Sequence, residues 1–354
     1  MIEANISDIH TSSHKTLFGV LPNGTEVYSY QLTNKNGLQM TVINYGATIT
    51  SLMIPSKNET KVDIVTGFQT IEDYVNSFDL PSPPYFGAIA GRFAGRINKG
   101  RFITGNKEYQ LNTNHGRHHL HGGNQGFSQV FWEVKYIEGQ GNTSITLTYT
   151  SEDGEENYPG QLTVEVTYTL TDNNELVTEY KAVSTEDTIV NLTQHSYFNL
   201  EGHLATIENQ ELFVNSVKIL KTDAENIPTG DFVDVSESAL DFSNTSKCPH
   251  IIDNSYIIED KKQSAATLYS NKTGIKMSVF TTQPTVHIYV GGNCFGQIKG
   301  KEDADYNSLS GICFEAQNHT DAPNHPGFPS AVLKKEETYN QKTTFLFETQ
   351  LSVN

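Results

Sequence analysis

The stretch Leu162-Thr163-Val164-Glu165-Val166-Thr167-Tyr168-Thr169-Leu170 alternates without a break. Leu162, Val164, Val166, Tyr168 and Leu170 fall on one side, and Thr163, Glu165, Thr167 and Thr169 on the other. Successive side chains of a strand point to opposite faces, so this pattern predicts a strand with one buried and one wetter face. Shorter runs with strand character follow from Thr25 to Tyr30, Leu38 to Ile43, Ile145 to Tyr149, Leu176 to Tyr180, Lys276 to Thr281, Val286 to Val290 and Thr343 to Glu348. Further strand material lies at Phe213-Val214 and Val217 to Ile219. Turns are expected at Asp172 to Glu175 and at Pro228-Thr229-Gly230. Strand after strand with short turns predicts an all-β fold of antiparallel sandwich type. A short helix is expected after Thr70-Ile71-Glu72-Asp73, which has capping-box form. Gly46, inside an otherwise strand-like run, predicts a bulge or a close backbone approach.

The 354 residues could hold two domains, but long β-rich chains often fold as one. No composition break or fixed-period repeat divides them, so a single domain over residues 1–354 is expected. The formal net charge of -17 argues against nucleic acid and anionic membranes, which reward a basic face, and lowers the expectation of a phosphorylated substrate. Met1 to Thr16 lacks a basic start and an apolar run, so no signal peptide is expected. No apolar run is long enough to span a membrane. Cys248, Cys294 and Cys313 are odd in number and widely spaced, which suits reduced thiols in a cytoplasmic protein. The acidic connection from Glu152 to Gly160 fails the spacing of a calcium loop and reads as a solvated loop. Trp132 alternates with Val130 and Val134, which predicts a core residue before a sugar-stacking one.

Three stretches carry candidate chemistry. His195 follows the apolar Ile189-Val190-Asn191-Leu192 and precedes Ser196-Tyr197-Phe198-Asn199. Glu315 sits inside Gly311-Ile312-Cys313-Phe314-Glu315-Ala316-Gln317. His121 closes His118-His119-Leu120-His121-Gly122-Gly123. A lone histidine at the end of a strand is more often structural. A glutamate within an apolar strand changes that weighing, because it is costly unless paired or functional, and desolvation raises its pKa towards the range of a working base. The plain structural alternative is a buried ion pair of Glu315 with Arg92. Histidine with carboxylate supplies acid-base chemistry near neutral pH. His119 and His121 would share a strand face, which could suit a metal, but no carboxylate stands beside them and no metal is expected. In Gly91-Arg92-Phe93-Ala94-Gly95-Arg96, Arg92 between Gly and Phe reads as a half-buried fork for sugar hydroxyls or a carboxylate. Asp253 alone is as readily a turn residue. No nucleophilic-serine elbow is present.

Taken in order, these pieces resemble the aldose 1-epimerases. The resemblance rests on Asn44-Tyr45-Gly46-Ala47, on Gly91-Arg92-Phe93-Ala94-Gly95-Arg96-Ile97 and on His119-Leu120-His121-Gly122-Gly123. It rests further on His195-Ser196-Tyr197-Phe198-Asn199-Leu200 and on Phe314-Glu315-Ala316-Gln317 with Asp321-Ala322-Pro323-Asn324-His325-Pro326. It covers nearly the whole chain. It implies a large antiparallel β supersandwich with an open sugar cleft. It further implies that Glu315 takes the proton of the anomeric hydroxyl, that His195 protonates the ring oxygen and that His121 assists. Arg92, Asp253, Tyr197 and His287 would contact the sugar. The substrate would be a free aldose such as galactose or glucose, with no cofactor and no metal, acted on by a monomer or homodimer. The chain departs from the family at His118, Gln194, Ser243 and His287, the last two bearing on sugar preference. The rival readings are a hexose-6-phosphate mutarotase, which needs a cationic cluster, and a non-catalytic carbohydrate-binding protein, which needs no acid-base pair. A glycosidase usually needs two carboxylates across the bond, and histidine stands where the second would be.

Overall fold

The alternating stretch is the strand Leu162–Leu170, with all five apolar positions sealed from solvent. It lies in a computed structural model that describes residues 15–140 and 142–350. The strand belongs to a nine-stranded antiparallel sheet. Starting at one edge, its members are Glu133–Gln140, Asn142–Ser151, Leu162–Leu170, Glu175–Ser184 and Thr338–Thr349, followed by Ile275–Thr281, Ala266–Tyr269, Glu211–Val214 and Ser246–Lys247. The chain therefore closes its largest sheet near its own end, with Thr338–Thr349 between Glu175–Ser184 and Ile275–Thr281.

A second antiparallel sheet has six strands, in the order Tyr197–Phe198, Ile312–Gln317, Thr285–Val290, Ile252–Ile257, Lys218–Thr222 and Pro228–Asp234. A third, of five strands, runs in chain order from Lys15–Val20 to Lys61–Asp63. Apolar residues from all three sheets, among them Met40, Val166, Ile288 and Phe314, meet in one continuous core. The architecture is an antiparallel β supersandwich. Among the described residues, no helix is long and apolar enough to cross a membrane.

Several local readings follow from chemistry. Thr70 caps the helix Ile71–Asn76, its Oγ1 accepting from the Asp73 N–H at 3.1 Å. Trp132 is fully buried and donates Nε1–H to the Phe127 carbonyl at 3.0 Å, as a core indole requires. Two expectations are corrected. Pro228-Thr229-Gly230 is not a turn but the start of the edge strand Pro228–Asp234, which pairs with Lys218–Thr222 through a register shift. Proline is tolerated at the first residue of an edge strand, where its missing N–H breaks no central ladder. The acidic connection is not merely solvated. The Glu156 carboxylate accepts from Asn112 Nδ2 at 2.9 Å and from the N–H groups of Asn124 and Gln125 at 3.0 and 2.9 Å. It braces the loop that follows His121.

The six-stranded sheet positions the site. In Ile312–Gln317 the side chains of Ile312, Phe314 and Ala316 enter the core, so Cys313, Glu315 and Gln317 point the other way. Val286, Ile288 and Val290 likewise enter the core, leaving His287 and Tyr289 beside Glu315 and Cys313. One face of this sheet is core, and the opposite face is the floor of a cleft.

Candidate active site

Register decides which groups meet on that floor. His287 lies directly across from Glu315 on one side and from Ser255 on the other. Tyr289 lies across from Cys313 and from Asp253. Tyr197 reaches the same floor through its pairing with Cys313. The resulting cleft encloses about 380 Å³. Its floor carries Glu315, His195, Tyr197, His287, Tyr289 and Asp253, and its walls carry His121, Arg96, Asn114, His115, Tyr85 and the turn Pro81 to Pro84.

His195 is held on all sides. Its N–H donates to the Ala88 carbonyl at 2.9 Å, and its carbonyl accepts from the Gly87 N–H at 3.0 Å. Its ring lies 5.7 Å from that of Tyr85, 5.3 Å from Tyr197 and 5.2 Å from His121. Nε2 stands 3.6 Å from Glu315 Oε1. Both residues are buried, and Glu315 Oε2 finds no hydrogen-bond partner among the described residues. A buried carboxylate oxygen with an open lone pair costs free energy unless something else supplies the donor.

His121 sits at a left-handed turn, φ +49°. Its Nδ1 accepts the Gly95 N–H at 3.2 Å, so the proton of a neutral ring belongs on Nε2. Burial pulls its pKa well below the usual value, with His195 and Arg96 adding to the effect. His121 is thus a neutral ring with a fixed donor. The turn is pinned by Asn114, which accepts from the Leu120 N–H at 2.8 Å and donates to the Leu120 and Gly123 carbonyls. Gly122, at φ +96°, has room for no side chain, since a Cβ would lie 1.7 Å from the Gly91 carbonyl oxygen. That turn breaks the alternation expected to put His119 and His121 on one face. His119 instead binds the Asn112 carbonyl at 2.7 Å and the Tyr158 hydroxyl at 2.6 Å, away from the cleft.

Arg92 is the main correction among the expected site residues. It is buried outside the cleft. Nε donates to Ser151 Oγ at 2.8 Å, Nη1 to the Pro159 and Gly160 carbonyls at 3.2 and 2.8 Å, and Nη2 to the Ser151 and Glu152 carbonyls at 3.0 and 2.7 Å. Its fork has nothing left to offer a ligand, and it makes no pair with Glu315. Arg96, four residues on, lines the cleft, and its buried Nε has no partner among the described residues. The sequence signal for Arg96 was the repeated Gly-Arg step. Nothing local ranked the two arginines. The rim residues Asn114, His115 and Tyr85 carried no signal, because separate loops bring them together.

His287 is held between Asp253 and Ser255, with Nε2 3.0 Å from Asp253 Oδ1 and Nδ1 2.9 Å from Ser255 Oγ. Burial pulls the His287 pKa down, but the hydrogen bond to Asp253 and its charge outweigh that and leave it raised. Burial pushes Asp253 up, and its bond to His287 more than reverses this, leaving it lowered. The second Asp253 oxygen accepts from Asn226 Nδ2 at 3.0 Å. The pair therefore presents a fixed, hydrogen-bonded edge to the cleft. Ser243 lies apart from the lining residues and caps its own turn through Asp241. Among the described residues, His121, His195 and Glu315 are also the side chains that bring three possible cation-binding atoms within 4.8 Å of one another. Acid-base chemistry at these groups needs no cation.

Residues 28–346 match the family model described as aldose 1-epimerase. The galactose mutarotase of Mus musculus is 39% identical over 94% of this chain and 98% of its own length. The aldose 1-epimerase of Haemophilus influenzae is 30% identical over 92% of this chain and 97% of its own. Among solved structures, an aldose epimerase homologue from C. elegans superposes with a TM-score of 0.82 at 28% identity, covering 90% of this chain and 98% of that one. A galactose 1-epimerase from Lactobacillus acidophilus gives 0.82 at 26% identity, covering 95% and 98%.

Proposed function

The chain belongs to the aldose 1-epimerase family, and from that premise we propose that Glu315 and His195 interconvert the α and β anomers of a free aldohexose, such as galactose or glucose, by opening and reclosing its ring. The enzyme is an isomerase acting on aldoses. The observation that carries the assignment of roles is the 3.6 Å approach of His195 Nε2 to Glu315 Oε1, with Oε2 on the cleft floor finding no partner among the described residues.

The steps balance without a cofactor. Glu315 Oε2 takes the proton from the anomeric hydroxyl as His195 Nε2 gives one to the ring oxygen. The C1–O5 bond breaks, leaving an aldehyde at C1 and a hydroxyl at C5. Rotation about C1–C2 turns the other carbonyl face to the C5 hydroxyl. On closure His195 takes back the C5 proton and Glu315 returns its own to O1, so both groups regain their starting states. Each group contributes roughly 10²- to 10⁴-fold. His121, as a neutral donor, holds a sugar oxygen beside the ring oxygen. Arg96, Asp253 and His287 hold the remaining hydroxyls, and Tyr197 and Tyr85 wall the sugar. We take the described residues as one domain serving one cleft. The three buried free thiols suit a reducing, cytoplasmic setting.

The phosphosugar reading is not favoured. Arg96 is the only Lys or Arg lining the cleft among the described residues, where a phosphate would call for a cluster. A binding protein would have no use for a buried base facing an acid.

Polarimetry on freshly dissolved α-galactose and α-glucose tests the proposal. Faster relaxation to an unchanged final rotation is the expected outcome. Glu315→Gln keeps the shape and removes the base, so it should lower kcat by about 10²- to 10⁴-fold with sugar binding retained. Full activity in that variant would remove Glu315 from the mechanism.

A further inference from the structure

Cys313 lies on Ile312–Gln317 two residues before Glu315, on the same face, and is fully buried. Its Sγ stands 3.6 Å from His195 Nδ1, the ring nitrogen that faces away from Glu315. We propose that Cys313 is a positioning residue for His195: its thiol occupies Nδ1 throughout the reaction and leaves Nε2 as the nitrogen that exchanges a proton with the sugar. The inference rests on the role given to His195 above.

The requirement comes from the proton inventory. When His195 gives the Nε2 proton to the ring oxygen, the neutral ring that remains carries its proton on Nδ1. That N–H is buried and needs an acceptor. Before the transfer the ring carries protons on both nitrogens, so its Nδ1–H needs the same acceptor in both states. A thiol sulfur can accept that bond, weakly, before and after the transfer, with its own hydrogen turned away. Burial, with Glu315 nearby, pushes the Cys313 pKa well up, so the group stays a neutral thiol and adds no charge at Nδ1. A carboxylate at that point would grip the Nδ1 proton and add a charge. An apolar side chain would leave the buried Nδ1 without a partner, which costs free energy. Packing alone does not select the nitrogen. Tyr85, Tyr197 and His121 fix where the ring lies, but ring contacts do not distinguish Nδ1 from Nε2.

Serine and alanine differ from each other by one hydroxyl at nearly equal volume, so Cys313→Ser and Cys313→Ala leave similar cavities and differ in hydrogen bonding. The expected result is a kcat for Cys313→Ala roughly tenfold below wild type, with KM within about twofold and unfolding close to that of Cys313→Ser. Cys313→Ser should recover most of that loss. Nitrogen-15 spectra of the His195 ring should show a hydrogen-bonded Nδ1 in wild type and in Cys313→Ser, and a changed Nδ1 signal in Cys313→Ala. Equal loss in the two variants would make Cys313 a packing residue and overturn the proposal. Wild-type kcat in both would do the same. Loss of activity in Glu315→Gln alongside full activity in both cysteine variants would refute this inference and spare the acid-base assignment. Full activity in Glu315→Gln would instead strike the assignment itself.

Discussion

Two buried polar centres lie side by side in this molecule, and the sequence threads both with the same motifs. Arg92 and His119 belong to one, Arg96 and His121 to the other. Around Arg92 all three guanidinium nitrogens are bonded to a protein atom, and both nitrogens of His119 are bonded as well. In the cleft, Arg96 Nε and Glu315 Oε2 are buried and have no partner among the described residues. Burial and residue type do not separate structure from function here. What separates them is whether hydrogen-bonding capacity remains after folding. A closed knot stabilises, while the open set keeps donors and acceptors that the hydroxyls of the proposed sugar would complete.

The sharpest break of that comparison would come from exchanging stability for activity in the wrong centre. Glu315→Gln should lose about 10²- to 10⁴-fold in kcat with little change in denaturant midpoint. Arg92→Met should do the opposite. It strands four carbonyls and a hydroxyl, so unfolding free energy should fall on the order of 3 kcal/mol or more, while kcat per folded molecule holds. A stable Arg92→Met with raised KM would reinstate Arg92 as a sugar ligand.

The knot should also be acid-sensitive, as should His121 in the cleft, whose pKa burial pulls well below the usual value. Burial pulls the His119 pKa down to about 4. A depressed histidine binds fewer protons folded than unfolded, so stability rises with pH between about 4 and the unfolded value near 6.5. Below that window the gain from keeping His119 neutral is gone. His119→Gln should flatten the pH dependence of the unfolding midpoint in that range. An unaltered slope would assign the acid sensitivity to other groups, such as His121, whose pKa burial pulls well down, or the buried His319, whose pKa burial also lowers to about 4.

Smaller effects sharpen the cleft side. Arg96→Met should raise KM about tenfold, the scale of one charge-assisted hydrogen bond, with stability within ~1 kcal/mol. Asp253→Ala should raise KM a few-fold and leave kcat nearer to wild type if Asp253 binds, as proposed, without exchanging a proton. A larger loss in kcat than in KM would give Asp253 a part in the chemistry.

Much of this was legible in the sequence, and the reason differs by element. Leu162–Leu170 and Ile312–Gln317 could be read because a period of two survives burial. Glu315 and His195 stood out because charged or titratable groups among apolar residues need a reason. The step from Arg92 to Arg96 was not legible. Both follow glycine, and the carbonyls that claim Arg92 come from residues 151–160, some sixty positions away. The bracing by Glu156 was hidden for the same reason, and so was the contact of Cys313 with His195. Pro228 misled because a proline-glycine pair signals a turn unless an edge strand takes it up.

The cleft floor is the reverse side of a core sheet, with Glu315 flanked by Phe314 and Ala316 and His287 by Val286 and Ile288. Inheritance of the acid-base pair is thereby coupled to inheritance of the fold. A lineage can exchange the segment from Phe78 to Pro84, or His115 itself, without disturbing a single strand, but it cannot shift the proposed base by one position without turning a carboxylate into the core. Diversity of sugar preference should accumulate at the rim, and directed libraries that spare the strands and randomise the rim should retain the reaction while altering what it acts on.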